Sequence, residues 1–441
     1  MIRIGIVADD LSGAADTALQ FVRAGWQTEL QLLPGPSTAQ VLALTTDSRG
    51  LAAPDAAKAA GVAVKQLCQV GVAHLYKKID STLRGHLRAE LQAAMDAWSP
   101  AAIAVVCPAF PAMGRTVVGG RLLLNGVPVS ETALARDPVT PVTESHLPTL
   151  LAASHVASNA ADSAQTLAER IRACAPMVVV DAADDEQLQR LAEAVVLLGS
   201  HAISVGSAGL ASQLARAWSP GKVAAFRSSP ESSVMKDAGG KGRITIVIVT
   251  SLQEVARRQA AAVAVAGAVH GEPGSGDLFD DDAWKRWSTE LLGRVGNVDG
   301  TDATLLLTAP VDLRKELPPD LIPNRFSDLA ARIIKRAGVD VSGVVVTGGD
   351  GARAVAHALG ATGFQIYGEV TGGVPMGTLV GGQGDGLRFV TKAGGFGPPE
   401  TLTDAVAQLK LRPTENQLRP TENKLHPTEN KLHPTEDRTH P

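Results

Sequence analysis

Short β-branched runs alternate with longer Ala- and Leu-rich stretches along most of the chain. Residues 3–8 (RIGIVA) read as a buried strand, a continuous apolar run followed by polar loop residues. Residues 14–24 follow as a helix, with Ala15, Ala18, Leu19 and Val22 on one face and Gly25 as its stop. Further strands are predicted at residues 41–45, 74–79, 102–106, 177–180 and 202–205, with helical patterns between most of them. Such alternation implies a largely parallel sheet with helices on both faces.

The period fails over residues 227–242 (RSSPESSVMKDAGGKG), which reads as a linker. It resumes with strands at 243–250, 304–307, 343–346 and 387–390 and a helix at 253–266. The expected fold is α/β, with two domains, each a mostly parallel sheet flanked by helices. The N-terminal domain spans 1–230 and the C-terminal domain 243–408.

From Leu411 a seven-residue unit repeats: LRPTENQ, LRPTENK, LHPTENK, LHPTEDR. Each unit carries a proline and one apolar residue, so a coiled coil is excluded and residues 409–441 read as a disordered tail. His426, His433 and His440 could hold a metal only loosely on such a chain.

Of the 441 residues 45% are hydrophobic and only 3% aromatic, so the core must be built from Ala, Val, Leu and Ile. The net charge of −4 gives no reason to expect nucleic acid. Cys68, Cys107 and Cys174 are too few and too far apart for a disulfide framework or a CxxC metal site. No stretch reaches the roughly 18 apolar residues of a membrane span, and the start is unlike a signal peptide. The expectation is a cytoplasmic protein with no membrane partner. The sequence leaves metal ligands and assembly open, a homo-oligomer included.

In an open parallel sheet, ligands bind where loops leave the carboxyl ends of strands. Three polar loops in the first half do so. Asp9-Asp10-Leu11-Ser12-Gly13 places two adjacent carboxylates at a helix start, where they suit sugar hydroxyls or Mg²⁺, or where one simply caps the helix. Lys77 to Gly85 (KKIDSTLRG) gathers lysines, an aspartate, hydroxyls and an arginine ahead of a helical face of Leu83, Leu87, Leu91, Met95 and Trp98. That chemistry suits a ligand with a carboxylate and hydroxyls, although Ser81 or Thr82 could be a mere N-cap. Arg49 offers a bidentate clamp for a carboxylate.

The second half has loops at Ser251, at Thr347-Gly348-Gly349-Asp350-Gly351, and at Thr391-Lys392-Ala393-Gly394-Gly395. Ser251 with Glu254 matches a capping box, a sufficient structural explanation by itself. A lysine beside paired glycines can offer a point charge and backbone N–H groups to phosphate. There is no P-loop, no GxGxxG fingerprint, no protein-kinase signature set, no HExxH and no GxSxG elbow.

VADDLSGAADTALQF, TTDSRG, YKKIDSTLRG, PAFPAMGRTVVGGRLLLNGVPVSET, TGGDGARAV and VTKAGGFG together resemble the four-carbon acid sugar kinase family, in family order over nearly all of residues 1–408. The resemblance implies a sugar-acid domain, an ATP domain, and ATP with Mg²⁺ as cofactors. It places substrate contacts on Asp9, Arg49, Lys78, Ile79, Asp80 and Ser81. It places ATP contacts on Ser251, Gly348, Gly349, Asp350, Gly351, Lys392, Ala393, Gly394 and Gly395. Asp10 and Asp80 are the candidate catalytic acids, one of them orienting the terminal hydroxyl. YKKIDSTLRG and TTDSRG look more like the D-threonate and D-erythronate kinases than the 3-oxo-tetronate kinases, which remain the alternative. Two departures stand out. Thr250-Ser251 replaces the usual Gly-Ser, with Ala256 where a Thr is usual, and Gly351 stands where a hydroxyl often follows Gly-Gly-Asp. They leave a non-catalytic sugar-acid sensor as a remoter reading. A nucleotide-dependent oxidoreductase is disfavoured by the missing fingerprint.

Overall fold

The computed structural model describes residues 3–411, apart from 34, 137–140, 160, 220–242, 297–301, 311–317, 319 and 337–339. The linker expected at 227–242 and the repeat tail from residue 412 lie outside the described residues. The last helix, Thr401–Lys410, still belongs to the core, with Leu402, Ala405 and Leu409 fully buried.

Fifteen strands form one continuous sheet with two parallel wings. The N-terminal wing runs Thr28–Gln31, Val41–Thr45, Ile4–Ala8, His74–Lys78, Ala202–Gly206, Ile103–Cys107, Met177–Val180 and Ser154–Val156. The C-terminal wing runs Val269–Gly271, Ala303–Thr308, Arg243–Val249, Asp340–Thr347 and Arg388–Lys392. Every adjacent pair within each wing is parallel. Val, Ile, Leu and Ala fill the strands on both faces, as strands covered by helices on both sides require.

Two antiparallel strands, Pro375–Val380 and Gly363–Glu369, join the wings, the second pairing antiparallel with Thr28–Gln31. In a flat sheet these reversals would send the two sets of carboxyl ends to opposite edges. Loops of the two wings nevertheless meet. A Cβ on Gly349, at the end of one wing, would lie 3.4 Å from Leu11 Cβ, at the end of the other.

Most expected strands are found within one to three residues of their predicted ends. One expected helix face needs correction. The helix after the lysines is Leu87–Trp98, and Leu83 lies outside it in a turn with φ 70°. Ser81 and Thr82 therefore cap no helix. The Ser251–Glu254 capping box does not form either: the helix is Glu254–Val265, its N-cap is Gln253, and no side chain caps it.

Candidate active site between the two wings

The strands Val41–Thr45, Ile4–Ala8 and His74–Lys78 are consecutive, with Ala8 level with both Thr45 and Lys78. Their loops therefore leave one edge side by side. Arg49 spans Asp9 with a fork, Nε to Oδ2 at 2.6 Å and Nη2 to Oδ1 at 3.0 Å, and also donates to Asp10 Oδ1 at 2.7 Å. Asp80 Oδ1 lies 3.7 Å from the same guanidinium. The carboxylate clamp expected of Arg49 is thus already filled by the protein's own carboxylates.

Asp10 caps the helix Leu11–Arg23, accepting from Gly13 N at 3.0 Å, so its structural role is real. Its side chain is still 28% exposed, whereas Asp9 is almost wholly buried. Asp80 accepts from Thr82 N at 3.2 Å, from the Thr82 hydroxyl and from Arg84 N, Nε and Nη2 at 3.3, 2.9 and 3.0 Å. Burial alone would raise this carboxyl. The Arg84 hydrogen bonds and the charges of Arg49, Arg84 and Lys78 outweigh it and hold Asp80 well below the usual carboxylate range. Burial likewise pushes Asp9 up, and Arg49, Lys77 and Lys78 together bring it below its ordinary value.

Neighbouring residues of a strand point to opposite faces, so the two lysines do different things. Lys77 is buried and donates to Glu90 at 2.8 Å; Glu90 also accepts from Ser48 Oγ at 3.1 Å. This network pins the turn that presents Arg49. Lys78 lies on the other face, 4% exposed, against the helix Leu11–Arg23. A Cβ on Gly13 would sit 2.9 Å from Lys78 Nζ, so glycine is what lets the ammonium lie there. Ile79 is buried and Ser81 half-buried in the same loop.

On the other wing, Ser251 and the Gly348 turn follow, and Lys392 ends, three consecutive strands. Gly348 has φ 91° and opens the helix Gly349–Leu359, leaving free backbone N–H groups at its start. Lys392, 2% exposed, donates to Ala393 O at 2.8 Å and Gly394 O at 3.3 Å, and its own carbonyl accepts from Gly348 N at 2.9 Å. Burial lowers its ammonium to about 8. The Gly394-Gly395 turn presses on the Ser251 loop. A Cβ would come within 2.0 Å of Ser251 Oγ from Gly394 and 2.2 Å of Gln253 Oε1 from Gly395.

The two departures from the family pattern prove to be neighbours. A Cβ on Gly351 would lie 2.9 Å from Thr250 Oγ1 and 3.2 Å from Thr250 Cγ2. Thr250 occupies the space that a larger residue at 351 would need, and its hydroxyl donates to Thr347 O at 2.9 Å.

The sequence reading missed several residues that the fold adds. Asp16 lies on the helix Leu11–Arg23 one turn past Gly13. Burial raises its carboxyl against the pull of Lys78 and Arg23, and it forms no ion pair among the described residues. A single acid in an otherwise neutral first half of that helix, three residues after Gly13, was the available signal. Arg115 points toward the same edge from beyond Ile103–Cys107, with Asp80 and Asp16 as the acids within its electrostatic reach. Gln259 donates to the carbonyls of Phe396, Gly397 and Pro398 and so holds the end of the glycine turn. Beside the wing-to-wing contact, a cavity of about 430 Å³ is lined in part by Leu33, Asn324, Asp350, Arg353 and His357.

Two family models match the chain. A sugar-binding N-terminal domain model matches residues 4–214, and a nucleotide-binding C-terminal domain model matches residues 246–402. A D-threonate kinase of Bordetella bronchiseptica is 49% identical over 417 residues, covering 93% of this chain and 98% of the relative. A D-threonate kinase of Salmonella typhimurium is 33% identical over 437 residues, covering 91% and 97%. A crystal structure from Salmonella typhimurium LT2 shares the fold, with a TM-score of 0.76 at 23% identity over 92% of this chain and 100% of that one.

Proposed function

The chain belongs to the four-carbon acid sugar kinase family, and from that premise we propose that it transfers the γ-phosphoryl group of ATP to the terminal hydroxyl of D-threonate, giving the 4-phosphate, with D-erythronate as the second acid. The observation that carries this reading is the meeting of the two loops: Gly349, at the start of a helix, lies against Leu11, the residue after Asp10. A helix N-terminus favours phosphate, and carboxylates favour sugar hydroxyls. Their contact supports a donor and an acceptor meeting there.

The protein's part is positioning and charge. Lys392, the Gly348 turn and the Gly394-Gly395 turn hold phosphate oxygens. Ser251 closes the loop beside them. Arg49 fixes Asp9 and Asp10 in place rather than binding the acid through a free fork. Asp10, partly exposed and next to Leu11, orients the attacking hydroxyl. Asp80, held mainly through Oδ2 by Thr82 and Arg84, is too weak a base for that task; its Oδ1, with one hydrogen bond from Arg84, accepts from a substrate hydroxyl, and the group organises the loop. Lys78 contributes a cation on the substrate side.

Mg²⁺ needs only one or two protein carboxylates when it arrives on phosphates. The described residues contain no group of three acidic, His or Cys ligands, but Asp10 and Asp350 flank the loop contact, which fits such an ion. Mg²⁺ there would neutralise charge developing on the phosphate oxygens.

ADP release measured with D-threonate, L-threonate, D-erythronate and 3-oxo-tetronates tests the reading. The highest kcat/KM is expected for D-threonate. Preference for a 3-oxo-tetronate would replace the substrate assignment, and no turnover with any acid would favour a sensor.

A further inference from the structure

The substrate is an anion, so its carboxylate needs a cation that the protein has not already neutralised. Arg49 is filled by Asp9 and Asp10, and Arg84 is chelated by Asp80 through Nε and Nη2. Lys77 is paired with Glu90. Arg115 differs. Its Nη1 donates to Met113 O at 2.8 Å, its Nε is buried with no hydrogen-bond partner, and among the described residues it forms no ion pair.

The backbone holds Arg115 firmly. Phe110 N donates to Arg115 O at 2.8 Å and Arg115 N to Phe110 O at 3.1 Å, closing a turn over the end of Ile103–Cys107. Gly114, at φ 69°, makes that turn, and a Cβ there would lie 1.9 Å from Asn125 Oδ1. Between His74–Lys78 and Ile103–Cys107 runs Ala202–Gly206, which leads into the helix Ala208–Ala217. The start of that helix therefore lies between Lys78 and Arg115, and a helix start favours an anion. The start of the helix Ala208–Ala217, a buried lysine and an arginine whose Nε has no partner thus lie along one sheet edge.

The sheet order gives this place a direction. From the carboxylate loop at Asp10 and Leu11, where the phosphate-side Gly349 touches it, the wing runs Ile4–Ala8, His74–Lys78, Ala202–Gly206, Ile103–Cys107. Arg115 stands three strands beyond the carboxylate loop, roughly 14 Å at the usual strand spacing, within reach of an arginine and an extended small acid together. Resting on the kinase reading above, we propose that Arg115, with Lys78, binds the substrate carboxylate at the end of the site remote from ATP, and so selects acids over neutral polyols and points the terminal hydroxyl at Asp10.

Kinetics of wild type, Arg115→Gln and Arg115→Lys with D-threonate, and with uncharged threitol, test this. Arg115→Gln should raise KM for D-threonate about 10- to 100-fold, the loss expected for charged hydrogen bonds. KM for ATP and the melting temperature should hold, and the preference for D-threonate over threitol should fall by the same factor. Arg115→Lys, which keeps charge and stem, should give an intermediate KM. The proposal is overturned if wild type turns over D-threonate and either variant keeps KM within about twofold. An equal loss for D-threonate and threitol would also overturn it, since that is what a structural role gives. Should Arg115→Gln not fold, Arg115→Lys decides alone. A wild type inactive on every four-carbon acid would instead overturn the kinase reading itself.

Discussion

Asp47 and Arg353 form an ion pair that ties the loop carrying Arg49 to the helix that opens at the Gly348 turn. Arg353 also donates to Asp350 at 2.8 Å. One guanidinium thus joins the Asp47 loop of one wing to the first turn of its own helix on the other. The pair is partly exposed, at 39% and 27%, so it adds little to stability, about 0–1 kcal/mol at most. Its expected effect is on coupling. Arg353→Met and Asp47→Asn should each raise KM for both substrates several-fold. The double variant should be no worse than the poorer single, while melting shifts by only a few degrees. Fully additive losses would mean the two residues act separately.

The Thr250–Gly351 contact predicts a compensated exchange. Gly351→Thr alone should crowd Thr250 and Val346, costing about 1–3 kcal/mol and weakening ATP binding. Thr250→Gly in the same chain should restore most of the loss. A double variant as poor as the sum of the singles would show that the two positions are independent.

Lys392 should make ATP affinity depend on pH. Its ordinary value of 10.5 is lowered to about 8 by burial, so the charged form is disfavoured in the folded chain. The cost of burying that charge is fully present below pH 8 and fades as pH rises from 8 toward 10.5. Phosphates restore the charged form, so ATP binding near pH 8 should take up protons, and KM for ATP should rise as pH climbs through 8. Calorimetric binding heats should vary with the ionisation heat of the buffer. Lys392→Met should bind ATP more weakly and lose that variation. A buffer-independent heat in wild type would contradict the assignment.

Asp10 and Asp80 should fail differently. Asp10→Asn keeps much of the cap and should lower kcat by about 10²–10⁴-fold with near-normal melting. Asp80→Asn removes a carboxylate held by Thr82 and Arg84, so it should lower the melting temperature and raise KM for the acid. The folded value of Asp80 is depressed below its ordinary 3.8, so its stabilisation is present above that pH and lost as pH falls through the folded value. The variant should therefore lose less stability on acidification than wild type. Wild-type turnover in both would remove these residues from the site.

Much of this architecture is legible because the parallel strands are buried on both faces, which leaves unbroken β-branched runs such as RITIVIV. The joining strands are not legible for the opposite reason. Thr28–Gln31 (TELQ) reads as polar surface, yet Thr28, Glu29 and Gln31 are buried. They are satisfied by partners no local pattern announces: Trp26 O accepts from Thr28, Ser37 donates to Glu29, and Gln31 meets Gly35 and Gln66. The strand is held between Val41–Thr45 on one side and, on the other, Gly363–Glu369, which comes from more than 300 residues away. The site shows the same split. Asp9, Asp10, Arg49 and Lys78 could be found as polar residues after strands, whereas the occupancy of Arg49 and the openness of Arg115 depend on which loops become neighbours.

The central claim is that a four-carbon acid and ATP meet between the two wings, the terminal hydroxyl at Asp10. Phosphorus–proton correlation NMR of the product from ATP and D-threonate tests it most directly. The account predicts one phosphate coupled to the C4 methylene protons, formed one-to-one with ADP. ADP formed without phosphorylated acid, or phosphate on the C2 or C3 oxygen, would contradict it.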